Sequence, residues 1–241
     1  MSNPGDADTT PITSLRQLAD YIAVGCKPVS QFRIGTEHEK FGFRLADLTT
    51  PPYEPADRQP GSIRRLLGGL QRFGGTPITD AGATIGLKLG DAAISLEPAG
   101  QLELSGAPVE TLHQTMAELE AHYDQVRSVG RDLELGFLPV GFHPLASRAE
   151  MPWMPKGRYA IMRRYMPKVG ALGLDMMTRT CTVQVNLDYA SEHDMLRKLR
   201  VSLLLQPLAT ALFANSPFSE GRPNGNRWTR PIPARVPAGP R

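Results

Sequence analysis

The chain has 241 residues, with 27 Lys and Arg against 24 Asp and Glu, a formal net charge of +3 and a pI near 9.0. At 41% hydrophobic and 21% charged residues it has a globular composition and can bury a full core, as one large domain or two small ones. The charge excess is mild and its arginines are not interleaved with aromatics, which argues against a nucleic-acid partner, and no apolar run reaches the ~18 to 20 residues of a membrane span.

The opening "MSNPGDADTTPITS" has neither a basic start nor an apolar run, so no secretory signal is expected. Residues 14–25, "SLRQLADYIAVG", predict an amphipathic helix capped by Ser14 and stopped at Gly25. "RIGTEHEKFGF" at 33–43 then reads as a strand, and its period of two sets Glu37 and Glu39 on one face. Such a pair is either a solvated sheet face beside Lys40 or a divalent-metal site, since hard cations take carboxylate oxygens and relieve their repulsion. Four prolines make 49–60 a loop. "GSIRRLLGGLQRFGG" is a short helix ending at glycine, without the Lys-Ser/Thr of a P-loop.

"TIGLKLG" and "AISLEPAGQLELS" read as two strands, the second with Gln101, Glu103 and Ser105 on one face and Leu102 and Leu104 on the other. Leu112, Met116, Leu119, Tyr123 and Val126 form the core stripe of an amphipathic helix. "LGFLPVGFHPLA" at 135–146 is a buried strand running into a loop. The methionine-rich segment after it carries Lys156, Arg158, Arg163, Arg164 and Lys168, either surface helix cations or a site for a phosphate or carboxylate ligand. "TCTVQVNLDY" alternates, with Cys181, Val183, Val185 and Leu187 toward the core and Thr182, Gln184, Asn186 and Asp188 opposite. A last helix, with Ser191 and Asp194 at capping-box spacing, is expected to be interrupted at Pro207.

Mixed strands and helices with hairpin-like neighbours predict an α+β fold around a largely antiparallel sheet, its helices flanking a cleft. Cys26 and Cys181 are too few for a disulfide framework; they read as two buried thiols or a regulatory pair, and a reducing, cytoplasmic setting is expected. The five histidines form no metal-binding spacing. Three strands polar on one face, carrying Glu37 and Glu39, Glu97 with Gln101 and Glu103, and Gln184 with Asn186, suggest a carboxylate-lined cleft able to hold Mg²⁺ with the phosphates of ATP.

"IGTEHEKFGF", "SLEPAGQLELSGAP", "MPKGRYAIMRRYMPKVG", "TCTVQVNLDYASEHDM" and "LATALFANSPFSEGRPNG" closely resemble the glutamate-cysteine ligases of plants and proteobacteria, in order across about residues 14–225. The resemblance implies a glutamine synthetase-like ligase architecture and ATP-dependent joining of the γ-carboxylate of glutamate to the amine of cysteine through a γ-glutamyl phosphate. It implies Glu37, Glu39, Glu97 and Glu103 as metal ligands, and Gln101, Gln184 and Asn186 as partners of the metal-nucleotide site. Arg158, Arg163 and Arg164 are candidates for the anionic substrate or phosphate. After "EGRPNG" the family pattern is lost to "NRWTRPIPARVPAGPR", so 1–225 reads as the N-terminal portion of a catalytic domain and 226–241 as a divergent, disordered tail. The chain then stands as an active ligase, an inactive fragment, a noncatalytic Mg²⁺-nucleotide module, or a ligase for another amine.

Overall fold

In the computed structural model, which describes residues 10–55 and 61–225, seven strands form one antiparallel sheet, in keeping with the α+β expectation. Six of them, β1 (Ile34–Arg44), β2 (Thr76–Asp80), β3 (Ala83–Leu89), β4 (Ala92–Leu96), β5 (Leu102–Ser105) and β6 (Leu135–Leu138), lie in the order β2-β3-β4-β5-β1-β6. The seventh, β7 (Val183–Leu187), also pairs with β1. β1 is therefore the organising strand: residues 37–40 pair with β5, 34–38 with β7 and 41–44 with β6.

Local chemistry explains the hairpins. Ala81 and Gly82, which link β2 to β3, both have positive φ (47° and 84°), the type I′ pattern that matches strand twist, and Gly90 opens the β3–β4 turn at φ 60°. "AISLEPAGQLELS", expected as a single strand, is two strands around a turn closed by Gly100 N–H donating to Glu97 O at 2.9 Å. Pro98 brings no N–H to a ladder and Gly100 sits at φ 85°, so this stretch reverses instead of extending.

Helices α2 (Ile63–Leu70) and α3 (Leu112–Leu133) cover one sheet face. Ser62 caps α2 and its apolar spacing buries Ile63, Leu66, Leu67 and Leu70 against Leu87, Ile94, Leu96, Leu102, Val126 and Val129. Each such side chain contributes about 1.5–3 kcal/mol by leaving water. Gly69 allows the helices to meet: a Cβ there would stand 2.5 Å from Val129 Cγ1. α3 begins with a Thr111–Gln114 capping box, and of the predicted stripe Val126 is buried and Leu119 and Tyr123 are half-buried. Leu112 and Met116 are exposed, while Thr115, His122, Val126 and Val129 are buried. The polar His122 holds a core position, where its Nε2 accepts from Lys40 Nζ of β1 at 2.8 Å.

Three further expectations are corrected. Val183, Val185 and Leu187 are 57–66% exposed, because among the described residues nothing covers that face of β7; only Cys181 of the four is buried. α6 (Glu192–Leu212) runs through Pro207 without interruption and buries no residue. Only Leu135 of β6 is buried. Of the remaining helices, α1 (Leu15–Ala23) is capped by Ser14 and buries no residue, while α4 (Gly157–Val169) and α5 (Gly173–Arg179) add Tyr159 and Met177 to the same core. Residues 56–60 of the proline loop and the tail at 226–241 lie outside the described residues.

Candidate functional site

The face opposite α2 and α3 carries the polar groups. Period-two alternation puts Glu37 and Glu39 on it from β1, and the register sets Glu39 directly across from Glu103 and Glu37 across from Ser105. On the other side of β1, Gln184 stands across from Glu37 and Asn186 across from Gly35. The structure thus brings together Glu37, Glu39, Glu103, Gln184 and Asn186, from three strands far apart in sequence.

Their hydrogen bonds are specific. Glu39, 9% exposed, accepts from Thr182 N–H (2.9 Å), Thr182 Oγ1 (3.0 Å) and Gln184 Nε2 (3.4 Å). Glu37 accepts from Asn186 Nδ2 at 3.1 Å, and Glu103, 3% exposed, accepts from Ser105 Oγ. Burial raises the Glu39 pKa and the facing Glu103 carboxylate adds to it, while the Thr182 hydrogen bonds oppose the rise. Opposite Glu103 in the β4–β5 ladder, the Ser95 hydroxyl is buried and has no hydrogen-bond partner among the described residues.

Among the described residues no group of three or more His, Cys, Asp or Glu side chains is placed to hold a metal ion; the register sets two carboxylates, Glu39 and Glu103, opposite each other, with Glu37 on the same face. That donor set still suits Mg²⁺, which is commonly held by one or two carboxylates together with substrate phosphates. Two buried carboxylates facing each other beside an unsatisfied hydroxyl form a place where a hard cation would relieve both repulsion and desolvation.

The other sequence candidates fall elsewhere. Glu97 sits in the β4–β5 turn, half-buried and close enough to Lys156 to act on its charge. Gln101 lies at the end of the same turn, one residue before β5, with its amide turned inward. Its Oε1 accepts from Ala99 N–H at 2.9 Å and its Nε2 donates to Met177 O and Thr180 O, both at 3.0 Å, tying the turn to the end of α5. With both N–H bonds committed and 1% exposure, it acts as a brace. Gln101→Leu is expected to strand three buried backbone groups and cost about 3 kcal/mol, at about 1–3 kcal/mol for each unsatisfied group, measured by urea unfolding. Arg158 is exposed beside the Tyr159 ring, Arg163 stacks 5.0 Å from the Trp153 ring and lines a separate cavity of about 600 Å³ with Arg148, Asp175 and Arg179, and Arg164 is exposed.

Two residues at the site stood in the sequence only as members of a pattern, Thr182 on the polar side of an alternating run and Lys156 in the cationic segment read as surface cations or a phosphate or carboxylate site. Thr182 holds Glu39 with two hydrogen bonds, and its place on the polar side of an alternating run was its only signal. Lys156 is 3% exposed, donates to Leu96 O at 2.5 Å, and has its pKa lowered to about 8 by burial, against the pull of Glu97 and Glu103. Lys156 is the N-cap residue of α4, with extended backbone (φ −105°, ψ 128°), and its side chain reaches back to β4.

The model of glutamate-cysteine ligase family 2 matches residues 33–232. The chain is 57% identical over 218 residues to the chloroplastic glutamate-cysteine ligase of Medicago truncatula, covering 90% of this chain and 41% of that enzyme. It is 57% identical to chloroplastic ligase A of Oryza sativa subsp. japonica and 56% to the chloroplastic ligase of Arabidopsis thaliana, with 43% and 40% of those enzymes covered. The chain thus spans about two-fifths of the length of the curated relatives it matches. These names correct the cytoplasmic expectation, since the relatives are plastid enzymes. A match across 33–232, enclosing every strand of the carboxylate face, places this chain in glutamate-cysteine ligase family 2.

Proposed function

We propose that this chain carries the metal-nucleotide face of an ATP-dependent ligase that joins the γ-carboxylate of glutamate to the amine of cysteine. The observation that carries the reading is the Glu39–Glu103 pair, two buried carboxylates opposed across β1 and β5 on the open face of a family sheet. Mg²⁺ held there, with Glu37 and Glu97 at its margins, would neutralise and align the phosphoryl group and the carboxylate it is transferred to.

The chain's own residues then have distinct tasks. Thr182 fixes both Glu39 oxygens, so that carboxylate is oriented before any ligand arrives. Gln184 and Asn186 hold Glu39 and Glu37 and present their remaining amide capacity outward. Lys156, beside Glu97 and Glu103, places a cation at the edge of the acidic face, where phosphate oxygens would otherwise meet only negative charge. Of the arginines, Arg158, close enough to act on Lys156, is best placed to reach an anionic substrate.

The test is calorimetric titration of the purified chain with ATP, with and without Mg²⁺, followed by an assay for ATP-dependent γ-glutamylcysteine formation. Mg²⁺-dependent ATP binding is the expected result. Binding that is absent, or indifferent to Mg²⁺, overturns the assignment of the face; binding without turnover leaves a nucleotide module.

A further inference from the structure

Behind the carboxylates, on the side of the sheet that meets α3, β1 buries a cation. Strand alternation sends Lys40 to the face opposite Glu39, where it is 1% exposed. Each hydrogen of its ammonium has an acceptor: His38 O at 3.1 Å, Leu102 O at 3.3 Å and His122 Nε2 at 2.8 Å, with the Tyr123 ring 5.7 Å away. A buried ammonium is costly, and a well-packed apolar side chain of similar volume often serves a core equally well or better. What Lys40 does beyond filling space lies in the acceptors it takes.

His38 O belongs to the peptide unit that leads into Glu39, and Leu102 O to the one that leads into Glu103. Those two carboxylates stand directly across from each other. One side chain therefore spans β1 and β5 at the peptides nearest the acidic pair, from the face that the pair does not occupy. Glu39 is held from the β7 side as well, where its N–H donates to Thr182 O at 3.1 Å and its carboxylate accepts from Thr182. Like charges directly opposite each other destabilise a strand pair, so Glu39 and Glu103 work to part β1 and β5 when no cation lies between them. Lys40 ties both strands across that point, and His122 on α3 anchors the ammonium by taking its third hydrogen.

We propose that Lys40 is a positioning residue of the carboxylate face, setting the separation of Glu39 and Glu103 through the peptide units that precede them, and that His122 fixes Lys40 for this task. The separation bears on which ion is taken, because Mg²⁺ demands oxygens at about 2.0–2.1 Å in near-octahedral geometry, whereas Ca²⁺ accepts about 2.3–2.6 Å in flexible geometry. That consequence rests on the metal-nucleotide reading; the clamp itself does not.

The experiment compares the full wild-type chain with Lys40→Met, His122→Leu and His122→Gln, reading amide exchange without ligand and calorimetric titration with ATP in Mg²⁺ or in Ca²⁺. Methionine approximates the lysine stem without its donors, leucine removes the acceptor at position 122, and glutamine restores one. In Lys40→Met, residues 37–40 and 102–105 should exchange at least tenfold faster, while residues 76–80 and 83–87 of β2 and β3 keep wild-type rates. Mg²⁺-dependent ATP affinity should fall at least tenfold and the preference for Mg²⁺ over Ca²⁺ at least threefold, an ion preference that a loss of stability alone does not move. His122→Leu should show the same changes at smaller size and His122→Gln should recover most of them, and this pair carries the test if Lys40→Met does not fold. Wild-type exchange at 37–40 and 102–105 in Lys40→Met and His122→Leu overturns the inference. Faster exchange with wild-type ATP affinity and ion preference also overturns it, leaving Lys40 and His122 as packing alone. If the wild-type chain itself shows no Mg²⁺-dependent ATP binding, the metal-nucleotide reading fails, and exchange alone upholds or overturns the clamp.

Discussion

Lowering the pH from 6.5 to 4.5 is expected to remove about 5 kcal/mol of folding stability, through His122 and His143. Both are buried, at 3% and 4% exposure, and burial pushes their pKa values down to about 2 and about 4, with Lys40 and Arg179 respectively adding to the effect. His122 Nε2 accepts from Lys40 Nζ at 2.8 Å, so protonating it would set two cations against each other. His143 Nδ1 accepts from the N–H groups of Leu145 (3.3 Å) and Ala146 (2.9 Å), and a proton there would displace both. Between pH 6.5 and the folded values the unfolded chain binds protons that the folded chain refuses, so stability falls as pH falls. Each histidine costs about 1.4 kcal/mol per pH unit in that range. Against a total of about 5–15 kcal/mol for a typical domain, the loss approaches unfolding. Urea unfolding at pH 7.5, 6.5, 5.5 and 4.5 measures it, and a flat stability from 6.5 to 4.5 would show that these histidines are not held neutral. On the alkaline side the sign is the same. Burial lowers Lys40 and Lys156 to about 8, so stability should rise as pH climbs from about 8 toward the ordinary lysine range, where the unfolded chain still carries both charges.

Glu39→Gln and Glu103→Gln are each expected to weaken Mg²⁺-dependent ATP binding by at least 10- to 100-fold, the loss seen even when an outer-shell partner of a metal ligand is removed. Unliganded stability should be unchanged or slightly higher. The reason is that the two carboxylates repel one another across β1 and β5, while Thr182 can still donate to an amide oxygen at position 39. Because the two side chains would serve one ion, the double variant should bind little worse than either single variant. Gln101→Leu, whose wild-type amide is committed to backbone groups, should show the converse pattern of lost stability with nucleotide affinity nearly retained once the protein is folded. Wild-type Mg²⁺-ATP affinity in both glutamine variants would remove the metal assignment.

Local pattern was enough to read much of this protein. The period of two in "TEHEKF" and "VQVNL" placed Glu37, Glu39, Gln184 and Asn186 on polar faces, and Ser14 and Ser191 marked helix starts that the structure bears out. Such features depend on residues two to four positions apart, and their chemistry is visible in the string itself. Tertiary structure alone decided which strands became neighbours, since β1 pairs with β5 and β7 across tens to well over a hundred residues of intervening chain. It also turned Gln101 inward as a brace and carried Lys156 to the acidic face, because both side chains follow the backbone path around β4 and the start of α4. Periodicity names the apolar side of an element but not whether anything covers it. α3 buries Val126 of its predicted stripe and His122 against Lys40 while Leu112 and Met116 are exposed, and β7 and α6 keep apolar sides in water because burial is set by what packs against a face as much as by the residues on it.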